Sequence, residues 1–271
     1  MNKGPFSVFA DIPYARTPQR MLRLDLRIPE IGPRPPLVVF IPMGGMRQCA
    51  KEHAQWWLTE YGFAMASIEC RVSSEVIAPA PVFDCKTAVR WLRAHAQEYG
   101  YDPEAIGVWG ISAGGLLASL MGTSCGVAEL EGDGGNAGVS SRVQAVCDAC
   151  GAPHDLAYFA RQDIKLRFAP VAENLRLYLG GPVEHRLELA RLVSPRTYVS
   201  GACPPMLLLH GDADDIVPVE ETTEFFNALK EAGADATLRI LPGAGHSWEP
   251  DLTRDDIIKF FTRVLKDRAK K

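Results

Sequence analysis

The feature that most constrains this chain is a series of short, largely apolar runs with helical stretches between them. The runs cover 37–41, 63–68, 106–109, 143–146, 206–209 and 237–241. They are continuous rather than alternating, which fits strands buried on both faces. Stretches 51–61, 82–99, 114–121, 219–232 and 255–266 read as helices. In the second, Val82, Val89, Leu92 and Ala96 fall near one stripe. Strands that alternate with helices predict an α/β fold, with a mostly parallel central sheet and helices on both faces. Segment 21–28 differs. Leu22, Leu24, Leu26 and Ile28 alternate with Arg23, Asp25 and Arg27, which predicts a half-exposed, antiparallel strand.

The 271 residues are enough for one α/β domain, and we expect a single domain over 1–271. A chain this long buries roughly 70–75% of its unfolded surface, so a disulfide-stapled miniprotein is excluded. The formal charge of −4 gives no field to hold a phosphate backbone, which argues against a nucleic-acid partner. No run approaches the roughly 18 apolar residues of a membrane span, and residues 1–10 show no signal-peptide core. Seven cysteines is an odd count, and Cys147 lies in an apolar run. This usage fits free thiols in a reducing cytoplasm. Two insertions interrupt the pattern. Segment 129–138 is Gly-rich and acidic and reads as an exposed loop. Segment 153–195 carries helical pieces without a strand, and reads equally as a lid insertion or as plain connecting helices.

Gly110-Ile111-Ser112-Ala113-Gly114 has the form G-x-S-x-G. It follows the run at 106–109 and precedes the helical Leu116-Leu117-Ala118. A sharp strand–turn–helix of this kind presents a serine hydroxyl above the sheet and leaves the next N–H free. The plain alternative is a Gly-rich turn. The context favours a nucleophile.

A serine hydroxyl needs a base. Of the six histidines, His53, His95 and His185 lie in polar helical stretches and read as solvated. His154 falls in the insertion. His210 ends the strand at 206–209 and reads as a turn residue. His246 sits in Pro242-Gly243-Ala244-Gly245-His246-Ser247, a loop that leaves the last strand at the sheet edge where Ser112 emerges. The loop after Leu209 offers Asp212, Asp214 and Asp215 to orient the imidazole, and composition does not choose among them. Oxyanion donors can come from Ala113 and from Pro42-Met43-Gly44-Gly45-Met46, where adjacent glycines leave amides free to face a substrate.

With these residues in view, the chain resembles the α/β-hydrolases, and more narrowly the hormone-sensitive-lipase and acetylxylan/feruloyl-type carboxylesterases. The resemblance runs from about Leu22 to Leu265. It is carried by Val38-Val39-Phe40-Ile41 through Lys51-Glu52-His53, by Ala88-Val89-Arg90-Trp91-Leu92 and by Tyr99-Gly100-Tyr101-Asp102-Pro103. Gly110-Ile111-Ser112-Ala113-Gly114-Gly115, Ser194-Pro195 and His210-Gly211-Asp212-Ala213-Asp214 complete it. It implies an α/β-hydrolase fold and an activity on small-molecule esters. It makes Ser112 the nucleophile, His246 the base and Asp214 the acid, with Gly44, Gly45 and Ala113 as oxyanion donors. It marks Arg71 and Asp84 as a scaffold pair and requires neither cofactor nor metal. Members of such families often form homodimers. One departure stands out: the families carry His-Gly-Gly-Gly where this chain has Pro42-Met43-Gly44-Gly45. The histidine that normally braces the loop is gone, and Met43 and Met46 add bulk.

Two other functions compete with ester hydrolysis: amide hydrolysis of the arylformamidase kind, and a catalytically idle fold used as a binding module. Cys147-Asp148-Ala149-Cys150 has C-x-x-C spacing, but no second ligand pair accompanies it. Trp56-Trp57 reads as packing, and the 266–271 tail as a solvated end.

Overall fold

The computed structural model describes residues 5–267 except Ile31, Pro33 and Ala152; for Met43 it describes the backbone alone. Of the ends read above as 1–10 and 266–271, residues 1–4 and 268–271 lie outside the described residues, as does the Met43 side chain.

Eight strands form one sheet: β1 (Phe6–Arg16), β2 (Met21–Pro29), β3 (Pro36–Ile41), β4 (Ala64–Ile68), β5 (Asp102–Ile111), β6 (Ala145–Ala149), β7 (Met206–Gly211) and β8 (Ala236–Leu241). Their spatial order is β1-β2-β4-β3-β5-β6-β7-β8. The pairs β1/β2 and β2/β4 are antiparallel, and every later pair is parallel. The mostly parallel sheet expected from the apolar runs is present, and β2 is antiparallel as its alternation predicts.

Side-chain alternation divides the core in two. Leu37, Val39, Ile106, Val108, Val146 and Leu208 face one side. There they meet α1 (Ala80–Ala94), α2 (Ala113–Thr123) and α4 (Val219–Glu231). On the other side Val38, Phe40, Trp109, Cys147, Leu207 and Leu209 pack with Ile257, Phe260 and Phe261 of α5 (Asp251–Phe261). Both faces are covered, so the central parallel strands β3 and β6 are buried throughout and carry no polar stripe.

Several boundaries differ from the sequence reading. β1 was not expected. It is an edge strand with two register shifts and a mostly exposed pattern, so it lacks a buried apolar run. The helix expected over 51–61 is instead two 3-10 turns, Lys51–His53 and Trp56–Tyr61. These turns cover the charged face of β2: the Lys51 Nζ lies 2.8 Å from Asp25 Oδ1, and the Arg27 guanidinium sits 4.4 Å from the Trp56 ring centroid. Segment 129–138 opens on a helical turn, Ala128–Glu131, and then runs as the mostly exposed loop expected. Its Glu131 pairs with the buried Lys86 at 2.8 Å and with Arg90 at 3.3 Å. Segment 153–195 is helical without a strand, as read. Its longest piece is α3 (Ala169–Leu179). Among the described residues no helix is long and apolar enough to cross a membrane.

Candidate active site

Ser112 stands between β5 and α2 with φ +56° and ψ −127°. A non-glycine residue there is strained, and the packing around it must hold it. The Ser112 N–H donates to Ala149 O at the end of β6 (2.8 Å), and Ser112 O accepts from Leu116 N–H (3.1 Å). Gly110 allows the turn to close, because a Cβ there would collide with the Gly114 carbonyl. Ala113 opens α2, and its N–H donates to no acceptor among the described residues.

The loop after β8 carries His246 to the same edge. His246 Nε2 lies 2.9 Å from Ser112 Oγ, and His246 Nδ1 lies 2.8 Å from Asp214 Oδ2. Of the three aspartates after β7, only Asp214 lies within hydrogen-bond reach of the imidazole. Asp212 instead accepts from Gly243 N–H at 2.7 Å and fastens the two loops together. The Asp214 side chain is fully buried, and its Oδ1 accepts the N–H groups of Ile216 and Val217, both at 2.9 Å. Burial alone would raise its carboxyl. Hydrogen bonds from His210, His246 and the Val217 N–H outweigh that and hold it well below the usual carboxylate range.

His210 is more than a turn residue. It is fully buried, with Nδ1 2.8 Å from Thr222 Oγ1 and Nε2 3.1 Å from Asp214 Oδ2. The sequence signal was its place four residues before Asp214. The other histidines differ from one another. His53 and His185 are exposed as read. His95 is half-buried and stacks on Trp91, with ring centroids 4.0 Å apart. His154 is buried, with Nε2 2.8 Å from Asp148 Oδ2. Asp148 also takes the Ser119 hydroxyl and the Gly151 N–H, the latter at 2.8 Å.

Met43–Gly44 pairs with Gln48–Cys49 in a small ribbon that leaves β3 beside Ser112. The turn between them is held by Ser73. Ser73 donates both its N–H and its hydroxyl to Met46 O, each at 2.8 Å. Met46 itself is buried in the core rather than standing in the open. The Gly45 N–H donates to no acceptor among the described residues.

The C-x-x-C pair does not act together. Cys147 packs in the core, while the Cys150 thiol donates to His246 O at 3.4 Å. Cys150, Asp214 and His246 bring one ligand atom each to within 4.8 Å of one another. Asp214 and His246 are already engaged with each other, so this grouping marks how close Cys150 lies to the relay. Arg71 and Asp84 form the expected scaffold pair, with Nη2 2.7 Å from Oδ1 and the Arg71 N–H 2.8 Å from Oδ2.

Two cavities border this edge. One of about 180 Å³ is lined by His246, Ile111, Trp109 and Trp248. The other, about 610 Å³, is lined by Gly44, Gly45, Arg47 and Asn174. A 670 Å³ cavity lies at the opposite edge, beside Glu104, Gln144 and Pro205 where strands begin, far from the serine.

Known proteins resemble the whole chain. Esterase LipQ of Mycobacterium tuberculosis is 31% identical over 267 residues, which cover 91% of this chain and 59% of that protein. Esterase LipC of the same organism is 29% identical over 250 residues, 86% of this chain and 60% of that protein. The chain therefore spans about three fifths of the length of these relatives. Among solved structures, a truncated carbohydrate esterase from gut microbiota superposes with a TM-score of 0.82 at 28% identity and covers 95% of both chains. The propionate-bound esterase Est2 of Thermogutta terrifontis gives 0.74 at 27% identity, over 93% of this chain and 90% of that one. The fold is that of the α/β-hydrolases, and with residues 24–229 matching its family model, the chain belongs to the BD-FAE family.

Proposed function

We propose that this protein hydrolyses small carboxylic esters through an acyl-enzyme. One observation carries the reading: Ser112 Oγ, both His246 nitrogens and Asp214 Oδ2 form an unbroken relay with steps of 2.9 and 2.8 Å. The esterase relatives and structural neighbours support the same class of reaction.

In this reading Ser112 Oγ attacks the ester carbonyl while His246 Nε2 takes its proton. Asp214 accepts from Nδ1–H, which fixes the tautomer that leaves Nε2 free and stabilises the imidazolium. The N–H groups of Gly44, Gly45 and Ala113 receive the developing oxyanion. His246 then delivers its proton to the departing alcohol. A water, deprotonated by the same nitrogen, attacks the acyl-serine and releases the acid, and Ser112 regains its proton. The protein needs no metal or organic cofactor for these steps.

An idle binding module would have no use for this aligned relay on a strained serine, and no observation favours an amide over an ester. The 153–195 insertion would serve as a lid over the site. We keep the cytoplasm as its setting on cysteine usage. The test is hydrolysis of p-nitrophenyl acetate with fluorophosphonate labelling. Ser112→Ala should abolish both. Full activity in that variant would remove the assignment.

A further inference from the structure

The loop that resembles the families' donor segment lacks their histidine brace, so something else must hold Gly45 in place. Gly45 has φ +54°, and a Cβ built on it would lie 2.6 Å from Asn174 Nδ2 and 3.2 Å from Asn174 Cγ. The Asn174 amide therefore occupies the open side of Gly45, where a side chain would stand. It makes no hydrogen bond among the described residues, so its own partners do not explain its position. Asn174 belongs to α3, within the helical insertion, and α3 is tied to the body where Ala78 N–H donates to Tyr178 O at 2.7 Å. On the far side of the turn, Ser73 grips Met46 O. Gly45 thus sits between an anchored neighbour and a side chain delivered by the insertion.

We propose that Asn174 is a positioning residue for the oxyanion donors: it holds Gly45 so that its N–H points at the carbonyl, in place of the missing histidine. The insertion is then a working part of the site, because it fixes the donor segment as well as covering it. This rests on the reading of Ser112 as the nucleophile. The physical link is packing. A left-handed glycine is free to move unless a neighbour occupies its open side, and a donor displaced by a fraction of an ångström loses much of its effect on the transition state.

The experiment is a double-mutant cycle on the intact chain with Asn174→Ala, Gly45→Ala and the pair. Each variant is assayed on an oxygen ester and on the matching thionoester, and fluorophosphonate titration counts active serines. Asn174→Ala should lower kcat about tenfold with KM nearly unchanged. It should also shrink the rate advantage of the oxygen ester, because amide N–H groups hold an oxyanion better than a developing thiolate. Gly45→Ala should be worse, since the new methyl meets the Asn174 amide. The double variant should then be faster than Gly45→Ala alone, because removing Asn174 makes room. Unchanged kcat and ester ratio in Asn174→Ala, or simple multiplication of the two losses, would overturn the proposal. If the native chain takes no fluorophosphonate, the esterase reading itself fails; if every variant titrates fully and the rates do not couple, only the role of Asn174 falls.

Discussion

His210 Nε2 lies 3.1 Å from Asp214 Oδ2, the same oxygen that His246 Nδ1 approaches at 2.8 Å. Asp214 Oδ2 therefore meets two imidazoles, one partly exposed and one fully buried. His210 is oriented in turn by Thr222, 2.8 Å from its Nδ1. This places the proton of His210 on Nε2, facing the carboxylate, with Thr222 donating to Nδ1.

Replacing His210 with Ala removes one donor to a buried charge. We expect kcat to fall about tenfold with little change in KM, the size of one charge-assisted hydrogen bond. His210→Gln, whose amide can still donate, should recover part of the loss. Stability should follow. Asp214 has a depressed folded pKa, so it contributes stability above its unfolded value near 3.8, and that contribution is lost as pH falls through the folded value. With a donor missing, the folded value rises. Acid unfolding of His210→Ala should therefore begin at a higher pH than in the native chain. Thermal melts across pH 2–5 read this directly, and coincident acid transitions would contradict it.

At Gly110 the prediction is steric. A Cβ would run into the carbonyl of Gly114 across the turn, so Gly110→Ala must open the elbow and tilt Ser112 away from His246. A displacement of about 1 Å costs roughly 100-fold in rate. The loss should appear in kcat and in the speed of fluorophosphonate labelling together. A variant that labels at the native rate would mean the turn tolerates the methyl.

These two positions show what the sequence made legible. The elbow was readable because a sharp strand-to-helix turn demands small residues at fixed offsets from the serine. His246 was readable from topology, since its loop leaves the last strand at the same edge. His210 was not, because its side chain turns inward from a strand end and a one-dimensional pattern carries no direction. Asn174 was hidden for a different reason: its contact with Gly45 spans 129 positions and depends on how the insertion folds back. β1 escaped notice because an edge strand with exposed faces needs no apolar run. The 3-10 turns after the ribbon do not show as such in the sequence, because the contacts that shape them, Trp56 with Arg27 of β2 and Trp57 with Trp109, are distant in the chain.

The paired side chains of Arg71 and Asp84 are 13% and 4% exposed. Breaking so buried a pair strands the remaining charge. Asp84→Ala should cost about 3–5 kcal/mol of stability. It should leave kcat per titrated serine close to native, because the pair does not touch the relay. Urea denaturation alongside active-site titration separates the two readouts. The paired change Arg71→Met with Asp84→Leu should cost less than Asp84→Ala, because no charge is left buried. A double variant less stable than the single one would show that the stranded Arg71 charge is not what the loss of Asp84 costs.

Glu221 lies in the first turn of α4 and is 2% exposed. Burial pushes its carboxyl up to about 7, against the Asp155 N–H that it accepts at 3.1 Å; nearby Asp155 and Glu224 add to the rise and Arg196 opposes it. Because the folded value lies above the unfolded value of 4.5, the folded chain holds this proton more tightly. Stability from Glu221 is thus full below about pH 4.5 and is lost as pH rises through about 7. The loss amounts to about 3 kcal/mol at most, at 1.36 kcal/mol per pKa unit. Glu221→Gln keeps an acceptor for the Asp155 N–H but cannot ionise. Its urea midpoint should therefore fall less between pH 5 and pH 8 than that of the native chain, and at pH 8 the variant should be the more stable of the two. Because the Glu221 carboxylate bonds to the Asp155 N–H and not to Ser112, His246 or Asp214, kcat should change little. Parallel pH dependences in the two proteins would mean that Glu221 ionises as an ordinary surface carboxylate and that α4 opens enough to admit water.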